Sequence, residues 1–462
     1  MADIAPDRLH QFARMREVAR EIFSTALKNA SIESAFARNL HCERRILRVG
    51  DDLHHLDSYH RVFVVSIGKA AHTMAAALEA QVGSNLEGIV ASSIDPPSQI
   101  RGFRYFRGGH PTPTADSIRA ASAILKSLFA LDSSSLVIFM ISGGGSSIVE
   151  KPVATLKHTD ADRDNIKNQD TFSDDGISLP DLAATYQALV HSGAPIAEIN
   201  AIRKHLSAVK GGRLAQAAYP AQQVSILVSD VPDDTPDALA SGPTMPDSTS
   251  IQDCERIAAK YHLLHQFPAS VASLFHQHAL DETPKSDDPA FVRARWWTVL
   301  SNKVAIDQAA IAASDAGFSV AVDNSCDDWP YDKAASYLLD RLRELSRTVP
   351  RFCLISGGEV TVTVRNGGTG GRNQQFALAC AEQISGQDIT VLSAGTDGID
   401  GNSPAAGALV DGSTISRAHG AQSARHALSA FDAYPLLDAL GDTLITGPTG
   451  NNLRDLRILL AY

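Results

Sequence analysis

Cysteine is scarce in this 462-residue sequence, and no two cysteines are spaced as a C-x-x-C pair. The five that occur are odd in number and far apart along the chain: Cys42, Cys254, Cys326, Cys353 and Cys380. This spacing argues against a disulfide framework and against a zinc site. Reduced, mostly buried thiols of a cytosolic protein are the expectation.

Long apolar runs are also missing. The longest strongly apolar stretch is Leu136–Ile141, whereas a membrane span needs about 20 such residues. The N-terminus has no apolar core after a basic start, which excludes a signal peptide as an interpretation. An excess of positive charge is absent too, since the formal net charge is -11. We therefore expect a cytoplasmic protein that binds neither membrane nor nucleic acid.

Neither common nucleotide fingerprint is complete. A Gly-x-Gly-x-x-Gly register that starts at Gly368 meets Asn373 where the third glycine belongs. Lys69 follows a glycine at a strand-to-helix junction, but it lacks the upstream glycine and the following Ser or Thr of a P-loop. These departures argue against a dinucleotide enzyme and against an ordinary P-loop kinase.

What the sequence does contain is a βα rhythm. Short apolar runs such as Val62–Ile67 and Val224–Val228 alternate with helical patterns, which predicts an α/β fold with a parallel sheet covered on both faces. A second series begins near Trp297 and includes a predicted strand at Val360–Val364. A helix is expected over Pro6–Arg38. The Pro- and Asp-rich stretch around Asp281–Pro289 is the predicted linker, giving domains 1–288 and 289–462.

Glycine-rich segments follow several predicted strands, where open α/β sheets bind ligands. Two of them echo each other: 141–145 (ISGGG) and 355–359 (ISGGE). They are either two ligand loops or one tight turn used twice. Each segment also has a plain interpretation: Lys69 as an exposed lysine, 142–147 (SGGGSS) as a flexible turn, and 229–234 (SDVPDD) as a solvated acidic turn. Together, however, they predict a polyanion site suited to phosphoryl transfer.

Several of these motifs resemble the class II glycerate 2-kinases, which carry a C-terminal MOFRL domain. The motifs are SIGKAA, GGHPTPTADS, ISGGGSS, NAIRKHLSAVKGGRLA, SDVPDD, SGPTMPD, GGTGGRNQ, SAGTDGIDG and TGPTGNNLRDL. The resemblance implies a larger, Rossmann-like α/β/α domain, a smaller α/β domain and an active site in the cleft between them. It implies transfer of a phosphoryl group from ATP to D-glycerate with Mg²⁺, giving 2-phosphoglycerate, and it places the key residues at Lys69, Asp230 and Arg372.

We expect Lys69 and Arg372 to offset the negative charge of the transferred phosphoryl group or of the glycerate carboxylate. Asp230 would orient or deprotonate the attacking hydroxyl, and Asp230 with Asp233 would hold Mg²⁺. Glycerate and ATP are the expected partners, and a homodimer is compatible with the sequence. The residues predicted to bind substrate or nucleotide are Ser66, Gly68, His110, Ser142, Gly143, Gly144, Gly145, Ser146, Ser147, Lys204, Gly357, Gly358, Glu359, Gly370, Gly371, Asn373, Gln374, Thr396, Asp397, Asn451 and Asn452.

Two alternatives stay open: a hydroxypyruvate reductase using NAD(P)H, and a non-catalytic sensor of sugar acids or nucleotides. Two segments depart from the family pattern. The acidic stretch 158–176 is longer than usual and reads as an exposed loop or a mobile insertion. The segment Asn324–Asp332 differs from the simpler loop expected there.

Overall fold

The computed structural model describes residues 6–84, 86–153, 176–364 and 367–462. The chain forms two compact units. The first unit contains Phe36–Ser229 and Asp234–Val299, and the second contains the described residues up to Ala35, Asp230–Asp233 and Leu300–Tyr462. The acidic stretch 158–176 lies outside the described residues except for Gly176.

Helices and strands alternate through most of the chain. The helices are α1 (Pro6–Asn29), α2 (Ile32–Asn39), α3 (Ala71–Val82), α4 (Ala115–Leu128), α5 (Gly145–Ile148), α6 (Leu179–His191), α7 (Ile196–His205), α8 (Arg213–Ala218), α9 (Ile251–Lys260), α10 (Ala269–His276), α11 (Asn302–Asp315), α12 (Tyr331–Ser346), α13 (Arg372–Gln383), α14 (Thr414–Arg417), α15 (Ala421–Ala430) and α16 (Ala433–Ala439). The strands are β1 (Leu40–Glu43), β2 (Ile46–Val49), β3 (Asp52–His55), β4 (Arg61–Ile67), β5 (Glu87–Ser92), β6 (Phe103–Arg107), β7 (Ser135–Ser142), β8 (Gln222–Val228), β9 (Ala294–Leu300), β10 (Ser319–Val322), β11 (Phe352–Gly358), β12 (Ile389–Gly395), β13 (Gly407–Asp411), β14 (Thr443–Leu444) and β15 (Asp455–Ala461).

The first unit is built on a six-stranded sheet of order β6-β5-β4-β7-β8-β9. The pairs from β6 through β8 are parallel, which confirms the predicted fold class. Every residue of β7 is buried, because a parallel strand covered on both faces needs apolar side chains on both. The register pairs Ile67 with Ile141 and Ser142 with Val228. The loops after β4, β7 and β8 therefore leave from one edge of the sheet.

The second unit has a six-stranded sheet of order β10-β11-β15-β12-β13-β14. Only β10 and β11 pair in parallel, whereas β15 runs antiparallel to both β11 and β12. The second unit is therefore an α/β unit, as predicted, and its sheet is mixed. The register places Asp455 opposite both Gly358 and Gly395. The start of β15 thus lies beside the ends of β11 and β12.

Three further expectations need correction or comment. The strand predicted over Val360–Val364 does not form, because Thr361 donates its N–H to Trp329 O at 2.8 Å and makes only an isolated bridge with Pro330. The single N-terminal helix is two helices, with Ser31 Oγ accepting from Ser34 N at 3.2 Å at the break. The predicted linker lies within the first unit, where Thr283 Oγ1 donates to Asp247 Oδ2 at 2.9 Å.

The position of α1 also bears on domain organisation. Its apolar face, including Met15, Ile22 and Phe23, is buried with residues of α11, β12 and β15, and Arg16 forms ion pairs with Asp411 (2.9 Å) and Asp442 (2.7 Å). Helix α1 thus belongs to the second unit, whereas the predicted bounds place it in the first domain. Compact units and independently folding domains are different properties, so the bounds stay a prediction.

All five cysteines are free, and four of them are buried. Among the described residues, no helix is long and apolar enough to cross a membrane.

Candidate active site

Lys69 stands where two loops of the first unit meet. Its backbone N–H donates to Gly143 O at 2.9 Å, and the N–H of Ala70 donates to Ser142 Oγ at 3.1 Å. Gly68 has φ of +121°, and a side chain there would overlap Ser142. Ser66 Oγ bonds to Ala71 O at 2.8 Å and fixes the start of α3. The structure therefore brings the predicted residues after β4 and β7 together.

The Lys69 side chain is exposed and lies beside His110. A Cβ atom at Gly144 would come within 3.1 Å of Lys69 Cγ and 3.0 Å of His110 Cδ2. Burial lowers the pKa of His110, and the positive charge of Lys69 lowers it further. The imidazole is therefore neutral at physiological pH and offers one donor and one acceptor. Ser146 Oγ lies 3.0 Å from Ser241 Oγ, and Ser147 Oγ donates to Gly144 O at 3.3 Å.

Lys204 is held inside the first unit. Its ammonium lies 3.0 Å from Asp237 Oδ2 and 3.2 Å from Asp247 Oδ1, and its side chain is only 5% exposed. Two carboxylates thus balance the positive charge of Lys204, which the sequence analysis predicted to bind a ligand. Its binding role stays a prediction.

In the second unit, the turn after β11 is closed by side-chain oxygen atoms. Gly357 N donates to Asn324 Oδ1 at 2.8 Å, Gly358 N to Asn302 Oδ1 at 2.9 Å, and Glu359 N to Asp327 Oδ1 at 2.9 Å. These three amide groups are the ones that a ligand loop would offer to an anion. Here these amide groups instead donate to side chains of the same unit that are distant in the sequence.

Arg372, the first residue of α13, is flanked by two carboxylates. Its Nε and Nη2 donate to Asp455 at 2.6 and 3.0 Å, and Nη2 lies 2.9 Å from Glu359 Oε1. The bidentate geometry fixes the plane of the guanidinium. The side chains of Arg372 and Glu359 are each 34% exposed, whereas that of Asp455 is fully buried. Arg372 can therefore still meet a ligand, but in one orientation.

Glu359 has a raised pKa in this cluster. Burial raises its pKa, Arg372 and Arg454 oppose that rise, and Asp455 and Asp230 add to it. Asp230 belongs to the second unit together with Asp233. Asp230 is therefore near enough to Glu359, a partner of Arg372, for its charge to act on that carboxyl group.

The amide groups at the start of α13 are also used internally. Asn373 N and Gln374 N donate to the two oxygen atoms of Asp400 at 3.1 and 2.9 Å, and Gly370 N donates to Asn402 Oδ1 at 2.9 Å. A side chain at Gly371 would overlap Asp400. Burial raises the pKa of Asp400 to about 6, although these backbone hydrogen bonds oppose the rise.

The remaining predicted residues organise the loop that precedes β15. Thr396 Oγ1 donates to Arg454 O at 2.8 Å, and Leu453 N donates to Thr396 Oγ1 at 2.7 Å. Other bonds of this loop involve Asp397 O with Thr449 N (3.1 Å), Asn451 Nδ2 with Ala30 O (2.5 Å), and Asn452 Oδ1 with Arg454 N (3.1 Å). These contacts are structural and leave the proposed ligand contacts as predictions.

Sequence reasoning missed the acceptors that close these loops, namely Asn302, Asn324, Asp327 and Asp400, and it missed Asp455 as the partner of Arg372. Asp400 and Asp455 lie inside motifs that the sequence had singled out, so a search for acidic residues in the motifs would have found them. Asn324 and Asp327 lie in the segment Asn324–Asp332, which the sequence marked only as a departure from the family pattern, and Asn302 carried no local signal.

The fold and the site residues together define the class of protein. The chain has an α/β unit with a mostly parallel sheet and a second α/β unit with a mixed sheet, and charged side chains lie in the loops that follow the strands of each unit. Residues 18–166 and 171–276 match the DUF4147 domain of unknown function, and residues 352–455 match the MOFRL family.

Several proteins are similar in sequence to this chain over most of its length. D-glycerate 2-kinase of Thermotoga maritima is 34% identical over 86% of this chain and 90% of its own length. A putative hydroxypyruvate reductase of Agrobacterium vitis is 35% identical over 96% of this chain and 94% of its own length. The crystal structure of a Thermotoga maritima glycerate kinase matches with a TM-score of 0.80 at 31% identity, covering 97% of this chain and 100% of that one. This chain belongs to the MOFRL-containing glycerate 2-kinase family, as the motifs predicted.

Proposed function

We propose that the protein transfers the γ-phosphoryl group of ATP to the 2-hydroxyl of D-glycerate, giving 2-phosphoglycerate and ADP. The observation that carries this proposal is the placement of exposed Lys69 beside Gly144 and a neutral His110, where strands β4 and β7 of a parallel sheet end. Family membership supports the same reaction.

The roles follow from what phosphoryl transfer requires, which is mainly positioning and charge neutralisation. The substrate oxygen forms a bond to the γ-phosphorus while the bond to the bridging oxygen of ADP breaks. Lys69 offsets charge on the transferred group, and Arg372 offsets charge there or on the glycerate carboxylate. The hydroxyl proton passes to Asp230. Neutral His110 and the hydroxyl of Ser146 orient the substrate by hydrogen bonds.

Magnesium fits the residues near Asp230. The charge of Asp230 raises the pKa of Glu359, so Asp230 lies where carboxylate oxygen atoms, the type of ligand that suits Mg²⁺, are near one another. Mg²⁺ in such sites takes one or two carboxylates and completes its shell with phosphates and water. Asp230, with Asp233, would hold the ion, which neutralises phosphate charge when bound.

The hydroxypyruvate reductase is the second candidate, since a relative carries that name. The missing dinucleotide fingerprint argues against it. One experiment separates the two. The purified protein is given ATP, Mg²⁺ and D-glycerate while ADP release is followed, and in parallel NADH and hydroxypyruvate while NADH absorbance is followed.

We expect ADP release that depends on glycerate, and no loss of NADH. Phosphorus NMR of the product should show 2-phosphoglycerate and not the 3-isomer. NADH loss without ADP release would overturn the proposal in favour of the reductase, and ligand binding without turnover would favour a sensor. We also expect cytoplasmic localisation, and native mass measurement decides between monomer and homodimer.

A further inference from the structure

The segment 324–329, between β10 and α12, holds Glu359 on both sides of its peptide backbone. Asp327 Oδ1 accepts from Glu359 N at 2.9 Å, and Asp328 N donates to Glu359 O at 2.8 Å. Neither peptide group flanking Glu359 can turn without breaking one of these bonds. The segment is the one whose sequence departs from the simpler family loop, and the proposed reaction leaves it without a role.

Asp327 has a second partner in the loop before β15. Arg454 Nη1 and Nη2 donate to its two carboxylate oxygen atoms, each at 2.7 Å. Arg454 is 7% exposed and has φ of +68°, a left-handed conformation that is costly for a residue with a side chain. Its carbonyl oxygen accepts from Thr396 N at 2.9 Å and Thr396 Oγ1 at 2.8 Å. The ion pair and these bonds together keep Arg454 in that conformation.

The two partners of Asp327 are connected to the two carboxylates that bind Arg372. The first partner, Glu359, is itself one of these carboxylates. The second partner, Arg454, directly precedes the other carboxylate, Asp455, which accepts the bidentate bond from Arg372. One carboxylate therefore ties together the backbone positions of both Arg372 partners. Because Gly358 has φ of +83° and a side chain there would come within 2.6 Å of Asp327 Oδ1, the turn is built around this carboxylate.

We propose that Asp327 is a positioning residue that, through Arg454 and the Glu359 backbone, holds Glu359 and Asp455 so that they present Arg372 in one orientation for phosphoryl transfer. The inference rests on the proposed kinase function. Its alternative is that the Asp327–Arg454 pair only stabilises the second unit. A misplacement of about 1 Å at a charge-stabilising group costs up to about 100-fold in rate, so the two cases differ measurably.

The test compares two arginine-to-lysine substitutions in the same unit. Arg454→Lys keeps the positive charge but loses the fork that binds Asp327. Arg417→Lys is the control, because Arg417 also pairs with a carboxylate of the second unit, its Nη2 donating to both oxygen atoms of Asp442 at 2.8 and 2.7 Å, and we assign it no role in the site. Asp327→Asn tests the carboxylate itself. For each protein, kcat, KM for glycerate and Tm are measured.

We expect Arg454→Lys and Asp327→Asn to lower kcat by about 10- to 100-fold with KM changed less than about threefold. Arg417→Lys should lower Tm while kcat stays within about twofold. If Arg454→Lys keeps wild-type kcat, or if Arg417→Lys loses as much kcat as Arg454→Lys, the pair is only structural and the inference is wrong. A wild-type protein without glycerate-dependent ADP release overturns the proposed function, and the inference falls with it.

Discussion

The turns after β7 and β11 read almost alike, as ISGGG and ISGGE, but the folded chain treats them differently. In the turn after β11, three consecutive amide groups donate to Asn324, Asn302 and Asp327, and both glycines are buried. In the turn after β7, the bonds use the carbonyls of Gly143 and Gly144 and the hydroxyl of Ser142. Gly143 and Gly144 are half-buried there. Within the described part of the chain, the amides of Gly144, Gly145 and Ser146 donate to no protein acceptor.

This difference bears on which turn receives an anion. Glycine permits converging amide groups, but whether those groups remain available depends on acceptors elsewhere in the fold. The turn after β11 has its acceptors built in and so holds Glu359 in place. The turn after β7 keeps its amides beside Lys69, which supports the prediction that SGGGSS binds phosphate.

The strongest test of this contrast is Lys69→Ala. Removing a charge that acts on the transferred group should lower kcat by about 100- to 1000-fold, while the fold stays intact because the side chain is exposed. Steady-state kinetics and circular dichroism measure the two effects. Lys260→Ala serves as the control, since Lys260 is an exposed lysine of the same unit paired with Glu198 at 3.0 Å. A Lys69→Ala enzyme with near-normal kcat would remove Lys69 from the proposed mechanism.

Gly358→Ala should damage stability. A Cβ there would meet Asp327 Oδ1 at 2.6 Å, so the carboxylate that closes the turn must move, at a cost of about 1–3 kcal/mol in the free energy of unfolding. Gly441→Ala isolates this effect, because Gly441 has a similar positive φ (+69°) and nothing within 4 Å of the added atom. Urea unfolding of both variants gives the difference. Equal losses would mean that only backbone strain matters.

Gly144→Ala should act on catalysis instead. Its Cβ would press on His110 and Lys69 at 3.0 and 3.1 Å, and displacing both by a few tenths of an ångström should lower kcat about tenfold. Gly193→Ala is the control, with φ of +75° and open space around the added atom. The two variants should lose similar stability, and only Gly144→Ala should lose activity. Unchanged kcat in Gly144→Ala would argue that the turn after β7 does not shape the site.

The sequence supports some of these conclusions and not others, for physical reasons. The parallel sheet of the first unit was predictable because strands buried on both faces read as unbroken apolar runs, such as β7. The antiparallel direction of β15 was not, since an apolar run carries no direction. Lys69 and Arg372 were found through glycine-rich motifs. Asn302, Asn324 and Asp327 escaped notice because their partners lie at least 32 residues away along the chain.

The smallest expected effect concerns the amide groups of Asn373 and Gln374 at the start of α13, which donate to Asp400 as those after β11 donate to their own acceptors. The pKa of Asp400 is raised from 3.8 to about 6, so its contribution to stability is fully present below pH 3.8 and is lost as pH rises through about 6. Asp400→Asn cannot titrate. Relative to this variant, the wild type should lose about 1 kcal/mol of unfolding free energy between about pH 5 and about pH 7. Urea unfolding of both proteins across this range measures the loss. Parallel curves would show instead that Asp400 keeps its charge throughout this pH range.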